Sequence, residues 1–121
     1  MTMEEFYKQA GGNYKEVYSR LRSKDRILKF ILKFPSEPSF ETLRQALSTN
    51  NMREAVRASK MLEDACLNLG FGSLYNASRE LAEYLCIGGS SDIATLWNKV
   101  EEIYNQTVAA IGELQGQEMP V

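Results

Sequence analysis

Apolar side chains recur at helical spacing along most of this chain, and short clusters of turn-forming residues interrupt the pattern. The longest run keeps a spacing of three or four residues over about six helical turns, with the members Ile93, Leu96, Trp97, Val100, Ile103, Tyr104, Thr107, Ile111 and Leu114. No segment of useful length alternates as a β-strand would, and the sequence contains no internal repeat. The periodicity therefore predicts an all-α fold.

The turn clusters divide the chain into successive helices. Glycines at 11 and 12 and prolines at 35 and 38 each end a helical pattern, since these residues favour turns or cannot continue a helix. Ser39 and Asn51 have side chains that commonly cap a helix N-terminus, and Gly70 is suited to end a helix. The predicted helices cover about 4–9, 14–34, 39–47, 51–69, 73–85 and 92–114.

Short connections between successive helices favour antiparallel neighbours. We expect residues 88–92 to form the last such loop and to cap the final helix, and residues 115–121 to be a frayed tail. A chain of 121 residues has the size of one domain. The sequence therefore predicts a single domain over 1–121, with its core at about 4–114. The expected architecture is an up-down antiparallel four-helix bundle with short additional N-terminal helices.

Composition and charge argue against several classes of partner. The formal net charge is −2, which offers no electrostatic reason to expect nucleic acid or an anionic membrane. No apolar run reaches the roughly 18 residues of a spanning helix. The first five residues lack the basic and apolar regions of a signal peptide. We therefore expect a cytoplasmic protein that binds neither nucleic acid nor membrane.

The chain has two cysteines and no histidine. Cys66 and Cys86 lie inside apolar helical patterns, and no second type of metal ligand stands at a suitable spacing. We expect both to be buried free thiols, because a disulfide is disfavoured in a reducing compartment. No metal ion and no cofactor are expected.

The predicted helix 51–69 has two distinct faces. When residues are placed about 100° apart around Leu62, one side carries mostly small residues, which are Ala55, Ala58, Ser59, Ala65, Cys66 and Leu69. The outward side mixes charge with apolar groups. Its candidate docking residues, called the Lys60 face below, are Val56, Arg57, Lys60, Met61, Glu63, Asp64, Leu67 and Asn68. Two interpretations stay open, which are a solvated face with scattered apolar residues and a docking surface with an apolar rim.

The same helix carries a resemblance to a known family. The segment 58–70 reads Ala-Ser-Lys-Met-Leu-Glu-Asp-Ala-Cys-Leu-Asn-Leu-Gly. It resembles the signature of histidine-containing phosphotransfer (HPt) domains, which is roughly Ala-x-His-x-Leu-Lys-Gly-x-x-x-Asn-Leu-Gly-x-x-x-Leu. The matching residues are Ala58, Leu62, Asn68, Leu69, Gly70 and Leu74. The turn at 11–13 and the helix containing 77–83 are also similar to the family, so the resemblance covers about residues 4–114.

The departures from the family signature remove its chemistry. Lys60 stands where the phosphoacceptor histidine would be, and an exposed ammonium is a poor nucleophile. Glu63 replaces a lysine and Asp64 replaces a glycine, so two carboxylates would repel a phosphoryl group. Because the chain contains no histidine at all, no shift in alignment restores phosphotransfer. We expect no catalytic residue and no enzyme activity of this kind.

The resemblance implies a phosphorelay protein of two-component signal transduction. HPt domains dock on receiver domains of response regulators, and Lys60 could insert among a receiver's carboxylates without accepting phosphate. One alternative is a response-regulator phosphatase that uses Asp64 and Asn68, which lie one turn apart on the helix. The other is a helical interaction module outside phosphorelay, such as a dimer formed through the last helix. The sequence leaves the cognate receiver and the oligomeric state open.

Overall fold

The computed structural model describes residues 1–88 and 92–118, with backbone alone considered at 117 and 118. Within these ranges the chain is all-helical and contains no β-strand, so the predicted fold class is confirmed at that level. The elements in chain order are α1 Met3–Gln9, α2 Tyr14–Leu21, α3 Lys24–Lys33, a 3-10 turn at Phe34–Ser36, α4 Ser39–Ser48, α5 Met52–Leu69, α6 Gly72–Cys86 and α7 Ile93–Glu118.

The predicted helix over 14–34 is wrong, because the chain breaks at Arg22. Arg22 adopts the left-handed conformation with φ 60° and ends α2. The Ser23 side chain then caps α3 by accepting a hydrogen bond from the Arg26 backbone N–H at 3.2 Å. Apolar periodicity continues across the break and conceals it. The missed signal is a serine followed by an acidic residue in the first turn, Asp25.

The predicted helix caps have mixed outcomes. Asn51 caps α5 as expected, since its side chain accepts from the Glu54 backbone N–H at 3.2 Å. Gly70 ends α5 in the left-handed conformation at φ 75°. Ser39 is not a cap, because it is the first residue inside α4 and Pro38 precedes the helix without a capping hydrogen bond.

Helix α7 is longer at its C-terminal end than the pattern predicts. It continues to Glu118, where the sequence suggested a frayed tail from 115. Residues 119–121 of that tail and residues 89–91 of the predicted loop lie outside the described residues. The apolar stripe of α7 packs against the core, and Val100 and Leu114 are fully buried. Other members of the stripe, such as Leu96, Trp97 and Ile103, are half-buried, and a dimer through the last helix stays a prediction.

One apolar core joins the elements. Neighbours in the chain are also neighbours in space, since α5 packs on both α4 and α6, and α6 packs on α7. Helix α1 packs on α7 from the other end of the chain. Phe71, between α5 and α6, contacts Phe6 and Phe34 edge-on, with ring centroids 5.7 and 5.0 Å apart. This aromatic cluster attaches the N-terminal elements to the turn that follows α5.

The turn between α1 and α2 meets the turn between α5 and α6 at backbone contact. A Cβ on Gly12 would lie 2.0 Å from the Gly70 carbonyl oxygen, and a Cβ on Gly72 would lie 2.2 Å from that of Gly11. We call these four residues the glycine clasp. The Ser73 N–H donates to the Ala10 carbonyl across it at 3.0 Å. Only glycine permits such an approach, so the clasp holds the C-terminal end of α5 in place.

Candidate docking face on helix α5

Helix α5 orients the candidate residues because its opposite side is firmly packed. Six side chains on that side are at most 9% exposed, namely Ala55, Ala58, Ser59, Leu62, Cys66 and Leu69. Ala65, which the helical period also predicted on that side, is half-buried. With both ends of the helix capped and one side buried, the remaining side cannot rotate away from solvent.

All eight residues of the Lys60 face lie on the accessible part of α5. Arg57, Lys60, Met61, Asp64, Leu67 and Asn68 are exposed, whereas Val56 and Glu63 are half-buried. Lys60 therefore points outward as expected from the helical period. Its ammonium makes no hydrogen bond or ion pair with any residue that the structure describes. The charge at the centre of the face is thus available to a partner.

Arg57, the second cation of the face, is paired with a carboxylate of the same helix. The Arg57 Nε donates to a Glu54 carboxylate oxygen at 3.0 Å, and its Nη2 pairs with the other oxygen. The Arg57 Nη1 also lies 3.1 Å from the Met61 sulfur. The hydrogen bond that Arg57 donates to Glu54 lowers the pKa of the Glu54 carboxyl. Glu54 neutralises Arg57, which leaves Lys60 as the principal free positive charge of the face.

The two carboxylates of the face have different surroundings. Asp64 is exposed and lies about 40° around the helix from Lys60. Glu63 is half-buried on the side of Arg79 in α6. The pKa of Arg79 is raised mainly by its hydrogen bond to Glu83, and the charge of Glu63 contributes less. Glu63 is therefore partly covered and near the Arg79–Glu83 pair, whereas Asp64 is open to solvent.

Apolar groups surround the charged centre. Leu67 is 55% exposed and Met61 is 40% exposed, and Val56 adds a half-buried apolar surface on the first half of the face. The Asn68 carbonyl, at the edge, accepts a hydrogen bond from Arg20 Nη2 of α2 at 3.2 Å. An accessible cation inside an apolar rim is suited to binding a carboxylate-bearing protein surface.

A groove next to this face was missed by the sequence analysis. It lies between α3 and α5, has a volume of about 440 Å³, and is lined by Arg20, Leu21, Phe30, Lys33, Phe34, Glu37, Ala65, Asn68 and Leu69. Its lining combines Arg20 and Leu21 of α2 with Phe30 and Lys33 of α3, which lie on opposite sides of the break at Arg22. A reading of 14–34 as one helix could not place these residues together.

The two cysteines differ in exposure. Cys66 is fully buried as expected, and burial raises the pKa of its thiol, with a smaller contribution from the charge of Glu37. Cys86 is exposed, so the prediction that it is buried is wrong. It is the last residue of α6, where Leu85 takes the buried position instead. Both thiols are free.

Thiol labelling of the folded protein should therefore modify a single site. We expect iodoacetamide to alkylate Cys86 readily and to reach Cys66 only after unfolding, because the buried thiol is both inaccessible and held protonated. Mass spectrometry of tryptic peptides before and after addition of urea measures both. Cys86→Ser should remove labelling of the native state. Equal labelling of Cys66 under native conditions would contradict the packing of α5.

Within the described ranges, no helix is long and apolar enough to cross a bilayer. In the same ranges, no group of three or more His, Cys, Asp or Glu side chains lies close enough to hold a metal ion. Comparison with known proteins adds no relative, since no family model, no curated protein and no solved structure matches the chain.

Proposed function

We propose that this chain is a pseudo-HPt protein of two-component signal transduction that docks receiver domains of response regulators without accepting phosphate. The observation that carries the proposal is the outward ammonium of Lys60, which has no partner among the described residues and lies at the position of the family's phosphoacceptor. The Lys60 face is the proposed docking surface, and the cytoplasm is the proposed compartment.

An up-down antiparallel four-helix bundle formed by α4 to α7 is the proposed architecture, with α1 to α3 as the additional N-terminal helices. Three residues connect α4 to α5, and two connect α5 to α6. Such short connections favour antiparallel neighbours. Phe40 of α4 stacks on Trp97 and Tyr104 of α7, with ring centroids 5.2 and 3.7 Å apart. This contact between the first and last of the four helices supports a closed bundle.

Charge complementarity would allow docking on a receiver without phosphotransfer. The active site of a receiver is a cluster of carboxylates, and the Lys60 ammonium can approach it as a cation. Leu67 and Met61 then bury apolar surface around the ion pair. Asp64 places a negative charge beside Lys60 and disfavours a phosphoryl group there. Binding would therefore be favoured for the unphosphorylated receiver, and the protein would sequester it.

Substitution of Lys60 tests this proposal directly. We expect Lys60→Ala to weaken binding to a receiver domain by about tenfold, equivalent to about 1.4 kcal/mol, while the fold is unchanged because the side chain is exposed. The matched control is Lys8→Ala, which removes an exposed cation from α1. NMR titration of the labelled protein with unphosphorylated receivers measures both the affinity and the affected amides. Saturable binding that leaves the amides around Lys60 unshifted would reject the docking surface.

The phosphatase alternative has a specific structural basis. Asp64 and Asn68 are both exposed and lie one turn apart, so an acid and an amide could reach one receiver together. We expect no effect of the protein on the lifetime of a phosphorylated receiver. If dephosphorylation accelerates and Asn68→Ala abolishes the acceleration, the phosphatase function replaces pure docking.

A further inference from the structure

The charge of this chain is unevenly distributed along the sequence. The segment 14–33, which contains α2 and α3, carries seven of the 14 Lys and Arg residues, namely Lys15, Arg20, Arg22, Lys24, Arg26, Lys29 and Lys33. Against these stand two carboxylates, Glu16 and Asp25, so the segment has a net charge of +5. Since the whole chain is at −2, the remainder is at −7. A protein that is acidic as a whole therefore has one strongly basic region.

The groove between α3 and α5 opens on this basic region. Its floor is apolar and includes Phe34 and Leu69, which are 3% and 9% exposed. Phe30 lines the groove and is 41% exposed, which is unusual for a phenylalanine on a helix whose other large apolar residues are at least half-buried. An aromatic side chain left in water beside an apolar floor marks a surface that a partner can cover.

Cations stand on both sides of the exposed aromatic ring along α3. Arg26 precedes Phe30 by four residues and Lys33 follows it by three, so the three side chains occupy one strip of the helix. Across the groove, Arg20 of α2 also lines it. Arg20 donates one hydrogen bond to the Asn68 carbonyl, which does not neutralise its charge. The rim of the groove is therefore positive around an apolar centre.

The lining also contains one carboxylate, Glu37, which is half-buried and keeps its charge, so two cations of the groove stand against one anion. Glu37 accepts hydrogen bonds from the Ser39 N–H at 3.0 Å and from the Ser39 hydroxyl at 2.6 Å. Burial raises the pKa of Cys66 and of Tyr104, and the charge of Glu37 adds a smaller contribution to both. Arg20 and Lys33 are exposed whereas Glu37 is half-buried, so a ligand that approaches from solvent meets the two cations first.

We propose that the groove between α3 and α5 binds an acidic amphipathic helix of a partner protein, with its apolar side chains against Phe30 and its carboxylates at Arg20 and Lys33. The described residues present no sheet edge that could pair with an extended peptide. An apolar groove between two helices instead accepts the apolar stripe of a third. An anionic membrane is the weaker candidate, because the apolar floor lies below the charged rim and a flat bilayer cannot reach it.

The proposal is independent of receiver docking, since it requires neither Lys60 nor phosphorelay. We would test it by selecting ligands for the full-length protein from a displayed library of random 16-residue peptides. Enriched peptides are expected to be acidic, with apolar residues at spacings of three and four. A synthetic copy of the best peptide, titrated into labelled protein, should shift the amides of Phe30, Lys33 and Ala65.

Three variants and a lipid-vesicle control test the proposal. Lys33→Glu and Phe30→Ser should each weaken the peptide by at least about tenfold, and both sites are exposed, so the fold should persist. Lys8→Glu makes the same change of net charge outside the groove and should alter affinity by less than about twofold. Failure to enrich acidic peptides, or equal affinity for Lys33→Glu and Lys8→Glu, would overturn the proposal. Binding to phosphatidylglycerol–phosphatidylcholine vesicles without peptide enrichment would assign the surface to membranes instead.

Discussion

Gly12→Ala is expected to lower the free energy of unfolding by about 3 kcal/mol. The added Cβ would lie 2.0 Å from the Gly70 carbonyl oxygen, which is backbone and cannot rotate away as a side chain would. Gly70 is itself closely packed, since a Cβ built on it would lie 2.5 Å from Val17 Cγ2. The glycine clasp must therefore open. Urea denaturation followed by circular dichroism measures the loss.

The same substitution at Gly112 provides a matched control. Gly112 lies inside α7, and a Cβ added there meets no atom within 4 Å. Alanine favours the helix over glycine, so Gly112→Ala should stabilise the protein by up to about 1 kcal/mol. The two Gly→Ala changes thus have opposite expected signs. A Gly12→Ala protein as stable as the parent would mean that the two turns do not touch.

Phe71→Ala should be equally damaging, with a loss of about 3–5 kcal/mol in the free energy of unfolding. Phe71 is fully buried, and its ring contacts those of Phe6 of α1 and Phe34 of the 3-10 turn. The cavity left by alanine cannot collapse easily, because the glycine clasp holds the adjacent backbone. Hydrogen exchange should also accelerate in α1, whose attachment depends on this cluster.

Phe30→Ala is the control for this second prediction. Phe30 is 41% exposed on α3, so its truncation should cost only about 0.5 kcal/mol. Chemical denaturation of both variants under the same conditions compares them. A similar loss for the two phenylalanines would show that Phe71 is not at the centre of the core.

The helical content and the orientation of α5 could be predicted from the sequence because both are local properties. A residue's position around a helix depends only on the helical period, so Lys60 could be placed opposite Leu62 without any knowledge of neighbouring helices. The ends of α5 were also predictable, since Asn51 and Gly70 act on backbone groups within a few residues. The use of this face by a receiver domain stays a proposal.

The break at Arg22 and the exposure of Cys86 were not predicted. Apolar spacing runs through 14–34 without interruption, and a single left-handed residue followed by a capping serine divides it. Cys86 lies in a helical apolar pattern, yet the core ends one residue earlier at Leu85. At Arg22 a local signal was present, the capping Ser23 with Asp25 after it, but the continuous apolar spacing concealed it. At Cys86 the packing of whole helices decides where the core ends.

By itself the sequence determined the helical class, the two faces of α5 and the absence of any histidine, because the first two depend on periodicity within a few helical turns and the third on composition alone. Only the tertiary structure decided that residues 11–12 contact residues 70–72, and that Phe30 and Lys33 border a groove with Ala65 of α5. These contacts join residues more than thirty positions apart. Their formation depends on how whole helices pack, which no local pattern encodes.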